Sequence, residues 1–142
     1  MKTLIKLKIS ILYILLILLS SCFKYKEVDR EYEQLKKLPE NELTKIDLIS
    51  YIDMDTVHSE GFETSFKIKN IGKNVMNNIF IKGICSCTTF DFYKKTLLPN
   101  QEQNINLRIN LLDEDGYFLK EIYVYGTFYP YLRKIQIVGY KN

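Results

Sequence analysis

Apolar and polar positions follow three rhythms along this chain. Ile9 to Leu19 is almost continuously apolar, interrupted at Ser10 and Tyr13, and follows a basic flank of Lys2, Lys6 and Lys8. Residues 23–42 are polar and dense in both charges, with Val28, Tyr32 and Leu35 at helical spacing, Glu33 four residues before Lys37, and Pro39 as a stop. From Ile46 onward the period is two. Ile46, Leu48, Ser50, Ile52 and Met54 share one face of a first predicted strand. Phe62, Thr64, Phe66 and Ile68 alternate with Glu63, Ser65, Lys67 and Lys69, and Asn70 to Asn74 reads as a turn. Ile79, Ile81, Gly83 and Cys85 oppose Phe80, Lys82 and Ile84, and residues 88–98 hold a short edge strand before Pro99-Asn100. Ile105, Leu107, Ile109 and Leu111 alternate with Asn104, Asn106, Arg108 and Asn110, the clearest strand in the chain. Asp113-Glu114-Asp115-Gly116 turns the chain, read as an Asp-Gly hairpin. Phe118, Ile122 and Val124 then face inward with Lys120 breaking the row, Pro130 marks another turn, and Ile135 and Ile137 close the pattern. About seven short strands at this spacing predict an all-β, immunoglobulin-like β-sandwich. The expected core is Phe66, Ile68, Ile81, Leu107, Ile109, Ile122, Val124 and Ile137.

The N-terminal run has its own logic. A basic flank, an apolar stretch short of the ~20 residues a span requires, and small Ser20 and Ser21 before Cys22 make a secretory leader. Leu19-Ser20-Ser21-Cys22 resembles the lipobox of bacterial lipoproteins, in which cleavage precedes a cysteine that carries lipid. The competing readings are a plain signal peptide cut nearby, an uncleaved anchor and a core helix. Phe23 rather than Asp follows the cysteine, which by resemblance to Gram-negative sorting favours the outer over the inner membrane. The expected organisation is a signal peptide over 1–21, a lipidated polar tether over 22–42 and the sandwich over 43–142. The expected setting is the bacterial cell envelope, with the membrane as a partner through Cys22.

Charge sharpens this picture. The chain has 20 basic and 17 acidic side chains, and three of the basic ones are the leader lysines, so the remainder is electrically neutral. Nothing draws a neutral chain to polyphosphate, and nucleic-acid binding is disfavoured. Alanine is absent while β-branched and tyrosine residues abound, which again favours strands.

Ser65-Phe66-Lys67-Ile68-Lys69-Asn70-Ile71-Gly72 is followed by Ile84-Cys85-Ser86-Cys87-Thr88-Thr89, Leu98-Pro99-Asn100 and Gly116-Tyr117-Phe118-Leu119-Lys120. This order is similar to the bacterial family called domain of unknown function 1573. Its members carry a strand ending N-x-G, an S-C-G-C-T motif, a P-G turn and a G-x-F-x-K segment. The resemblance covers Phe62 to Tyr140. Here Ile84 and Ser86 replace the Ser and central Gly of the cysteine motif, and Asn100 replaces the turn Gly, a position Asn tolerates. The resemblance implies an Ig-like domain on secreted or lipid-anchored envelope proteins, and no established reaction.

Candidate chemistry is sparse. With Cys22 acylated, Cys85 and Cys87 are the remaining pair, too few for a structural zinc site when His58 is the sole histidine. Thiol redox or Cu(I) handling through this pair is one reading. Two small apolar residues at a strand end, oxidised or not, is the other. In a regular strand their Cα atoms would be ~6.6 Å apart, so a disulfide requires a kink. His58 lies in a polar loop without a nucleophile pointing to it, and Asp113 and Asp115 fall short of a calcium loop. No catalytic residues and no cofactor are expected. Tyr117, Leu119, Tyr123 and Tyr125 alternate with the inward row, as do Val138 and Tyr140 on the last strand, and so face outward. They form either ordinary cross-strand pairs or a binding face for an envelope protein or glycan.

Overall fold

The computed structural model describes residues 30–92 and 95–142. The leader, Cys22 and most of the expected tether lie outside the described residues. The chain divides into two compact units between Lys37 and Leu38. In the first, residues 30–35 are helical, with Lys36 paired to Glu33 at 2.6 Å and its ammonium 4.9 Å from the Tyr32 ring centroid.

The second unit is a β-sandwich. After a short 3-10 turn at Glu40–Glu42 come β1 (Ile46–Leu48), β2 (Tyr51–Val57), β3 (Gly61–Asn70) and β4 (Phe80–Gly83). They are followed by β5 (Thr88–Asp91), β6 (Glu102–Asn110), β7 (Gly116–Tyr125) and β8 (Leu132–Lys141). One four-stranded sheet has the order β1-β3-β6-β5 and the other β2-β8-β7-β4. The chain crosses between sheets after β1, β2, β3, β4 and β6, which gives the Ig-like arrangement. Among the strands of the described residues, the β2–β8 pair is the parallel one.

The period-two rows do what alternation requires. Phe66 and Ile68 on β3, Ile105, Leu107 and Ile109 on β6, Phe118, Ile122 and Val124 on β7, and Ile135 and Ile137 on β8 form one buried core. Of the expected core, Ile81 alone is half-buried, because β4 is an edge strand. Asn100 takes φ 66°, the left-handed turn geometry that Gly would otherwise supply.

Several expectations are corrected. The first strand is two strands, β1 and β2, in different sheets. Its apolar rhythm runs unbroken because both halves face the same core: Ile46 and Leu48 from one side, Ile52 and Met54 from the other. The turn at Asp113–Gly116 is not a hairpin, since β6 and β7 lie in opposite sheets; Gly116, at φ 75°, starts β7 after the crossing. Lys120 does not break the inward row but sits in it, its side chain 9% exposed and its ammonium paired with Glu114, which supplies the partner a buried cation requires. Val138 points outward yet is buried, shielded between the flanking strands β2 and β7.

Candidate functional site

The two cysteines lie where the chain leaves one sheet for the other. β4 ends at Gly83, residues 84–87 bend and turn, and β5 begins at Thr88. A Cβ on Gly83 would come within 3.2 Å of both Phe90 Cζ and Thr88 Cβ, so its absence lets the crossing pack tightly. The turn supplies the kink that a regular strand would not: the Cα atoms of Cys85 and Cys87 are 5.1 Å apart and the two are disulfide-bonded. Both are partly exposed, with Ser86 outermost. The turn is held independently of the disulfide. The Ile84 N–H donates to Glu121 O at 3.3 Å, and the Asn110 N–H to Cys87 O at 2.8 Å. A three-residue ring constrains the unfolded chain by only ~1.6 kcal/mol on the chain-entropy account, so this bond is a weak staple.

One hydroxyl serves both sulfurs. Thr88 Oγ1 lies 3.8 Å from Cys85 Sγ and 3.7 Å from Cys87 Sγ, and Thr88 is buried. Two open grooves meet at Cys85. One of about 250 Å³ runs between Ile84 and Leu119, and one of about 350 Å³ is lined by Cys87, Asn110, Leu112 and Glu114; Lys120 borders both.

The outer face of the second sheet separates into three zones. At one end Tyr117 and Tyr140 are cross-strand partners, 67% and 53% exposed, beside Leu119 at 47%. Tyr51, 53% exposed, lies on the parallel strand β2 beside Gln136, between this end and the middle of the face; its phenol is pushed above its ordinary pKa by partial desolvation, then by Asp53 and Tyr117. In the middle, Glu121 accepts from Lys134 Nζ at 2.8 Å, Gln136 Nε2 at 3.0 Å and the Tyr123 hydroxyl at 2.9 Å. These three donors, Lys134 foremost, hold its carboxyl at about 2, while the Lys134 ammonium and the Tyr123 phenol are shifted up by the same carboxylate. At the far end Phe80 and Tyr125 stack with centroids 4.5 Å apart. Of the expected face, Tyr123 and Tyr125 are therefore engaged within the sheet, while Tyr117, Leu119 and Tyr140 form an exposed apolar zone. Tyr51 is outside the expected face because alternation does not show that β2 lies beside β8.

A third cluster explains the N-x-G signature. Asn70, fully buried, accepts from Thr44 Oγ1 at 2.7 Å and from the Gly72 N–H at 3.1 Å, and donates to Asn74 O at 2.8 Å and Leu97 O at 3.0 Å. A Cβ on Gly72 would overlap Thr44 Oγ1 and the Lys45 nitrogen. The motif thus clamps the segment before β1 to the end of β3. It is architectural, and sequence reading took it only as a turn.

His58 is an exposed loop residue. Among the described residues no group of three or more His, Cys, Asp or Glu side chains is placed to hold a metal ion.

Comparison with known proteins agrees with this architecture. The domain is similar to a protein of unknown function from Porphyromonas gingivalis, with TM-score 0.64 and 14% identity over 73% of this chain and 50% of that one. The chain therefore spans half the length of that relative. It is similar to an ASH/PapD-like domain of human CEP192, with TM-score 0.53 and 13% identity over 75% of this chain and 89% of that one. It is also similar to part of the Vibrio cholerae VesB protease, with TM-score 0.55 and 7% identity over 68% of this chain and 31% of that one. At these identities the likeness is one of fold alone. No curated protein matches the chain. The family described as "Protein of unknown function (DUF1573)" matches residues 49–140, from before β2 to the penultimate residue of β8 and including Asn70 and the Cys85–Cys87 turn, and the chain belongs to that family.

Proposed function

We propose that this chain is a lipid-anchored protein of the bacterial envelope whose Ig-like domain is a non-enzymatic binding module. The anchor is Cys22, and the outer membrane is its place. The basic flank, the apolar run and Leu19-Ser20-Ser21-Cys22 support the anchoring. The observation that carries the binding role is the zone of Tyr51, Tyr117, Leu119 and Tyr140. Four large apolar side chains stay exposed on adjacent strands while neighbouring aromatics on the same face are engaged internally. Tyrosine brings large contact area at low conformational cost and is enriched where proteins meet. The partner is another envelope protein.

Two measurements test this. Intact-mass spectrometry of the protein from membranes is expected to show an acylated Cys22 at the N-terminus; an unmodified Cys22 refutes the anchor. A photo-crosslinker placed at position 117 is expected to trap one defined protein in cells, and one at Asn104, on the outer face of the other sheet, none. Loss of the adduct in Y51S/Y140S supports the zone. A glycan adduct, or equal labelling from both positions, refutes the protein-binding reading.

A further inference from the structure

We infer that the Cys85–Cys87 disulfide is a thiol–disulfide exchange site, with Thr88 as its positioning residue and a dithiol polypeptide as its substrate class. Four observations converge. The bond is partly exposed at a sheet-to-sheet crossing and bordered by two open grooves. Its ring is too small for it to be an effective staple, and backbone bonds from Ile84 and Asn110 hold the turn without it. Among the described residues, the hydrogen-bonding contacts of the buried Thr88 hydroxyl are the two sulfurs. A neutral disulfide sulfur is a poor acceptor, whereas a thiolate is a strong one. The site is therefore better satisfied once the bond opens, and Thr88 can donate to whichever sulfur leaves.

The exchange balances. A substrate thiolate attacks one sulfur, forming a mixed disulfide and breaking the Cys85–Cys87 bond. Its electron pair departs on the other sulfur, where Thr88 donates a hydrogen bond. The substrate's second thiolate then attacks the mixed disulfide and releases the second cysteine. The substrate loses two electrons and two protons to become a disulfide, and Cys85 and Cys87 become thiols. The reverse reaction with a more oxidising disulfide resets the pair. The Ile84–Leu119 groove offers an apolar rest for the polypeptide on one side of Cys85.

This site shares Leu119 with the tyrosine zone, but its reacting atoms lie at the β4–β5 crossing, and its test in solution does not depend on the location of the protein. The full chain, purified in detergent, is equilibrated in glutathione redox buffers at millimolar total thiol. Thiols are then alkylated and read peptide by peptide, so that Cys22 does not contribute. The expected result is reversible reduction of Cys85–Cys87 while the circular dichroism of the fold is retained. A bond that stays oxidised until the protein is denatured overturns the inference. With a reduced dithiol peptide as substrate, Thr88→Val is expected to slow the exchange roughly tenfold and shift the equilibrium towards the disulfide, whereas Thr88→Ser preserves both. Unchanged rate and equilibrium in a folded Thr88→Val protein overturn the role of Thr88. With the disulfide form of the same peptide, the thiolate left in Cys85→Ser or Cys87→Ser is expected to attack the peptide disulfide, forming a mixed disulfide and releasing the peptide's other sulfur as a thiol, and absence of this adduct from both variants overturns the mechanism.

Discussion

Replacing Asn70 by alanine tests the reasoning behind the fold most directly. The side chain is fully buried and takes part in four hydrogen bonds. Two of the four groups it serves keep other partners. The Gly72 N–H also donates to Lys45 O at 3.1 Å, and Leu97 O accepts from the Met76 N–H at 2.9 Å. The Thr44 hydroxyl, buried at 3% exposure, and the carbonyl of Asn74 lose the partner that Asn70 provides. Each buried polar group left unpaired costs ~1–3 kcal/mol, less where water reaches it as at Asn74, so the expected loss is ~2–4 kcal/mol. Urea unfolding of the full chain followed by circular dichroism reads this as a lower midpoint at unchanged slope. Thr44→Val in the same background should recover part of the deficit, because it removes the orphaned hydroxyl. Asn70→Asp gives a second readout. It sets a carboxylate oxygen against the Asn74 and Leu97 carbonyls, so its deficit should be largest near neutral pH. It should shrink as acid protonates a carboxyl whose pKa burial raises. A loss below ~1 kcal/mol for Asn70→Ala, or a pH-independent deficit for Asn70→Asp, refutes the clamp.

Three further outcomes follow from the structure. Leu107→Ala, in the buried row of β6, should cost ~2–5 kcal/mol in the same urea assay, and a loss under ~1 kcal/mol would show that the row is not core. Glu121 has a depressed pKa of about 2, so its contribution is complete above the ordinary carboxylate value and is lost as pH falls from about 4.5 through about 2; Glu121→Gln should flatten the pH dependence of stability in that window, and identical profiles would refute the assignment. Cys85→Ser with Cys87→Ser should leave the fold intact and lower stability by no more than ~1.6 kcal/mol, and failure to fold would make the disulfide structural.

How much was legible in the sequence depended on what each feature needs to be seen. The rows Phe66–Ile68, Ile105–Leu111 and Ile122–Val124 alternate cleanly because each strand has one wet face and one dry face, and the structure buries all of them. The exchange of sheets between β1 and β2 left no such trace. A strand that changes sheets around one core keeps its hydrophobic period, so alternation cannot register the break. Lys120 misled for a related reason: a charge in an inward row reads as an interruption until Glu114 is known to lie beside it. The cysteine spacing showed that a kink was needed but not that a crossing would supply it. The Asn70 clamp depends on Thr44, Asn74 and Leu97, which converge from three segments, and only the family-like N-x-G pattern marked the position.

The parallel pairing of β2 with β8 has a mechanical consequence. Tyr51 lies beside Gln136 and Val57 beside Lys141, so the two strands run the same way at the edge of the sheet. The ladder is continued at its ends by the Gln136 N–H to Ser50 O at 2.9 Å and the Asn142 N–H to Val57 O at 3.1 Å. Tension entering upstream of β2 and leaving downstream of β8 would act along these strands in opposite directions. The bonds between them would be strained together in shear rather than peeled one at a time. A pull between the start of β2 and the end of β8 therefore loads this edge of the sandwich in its more resistant direction.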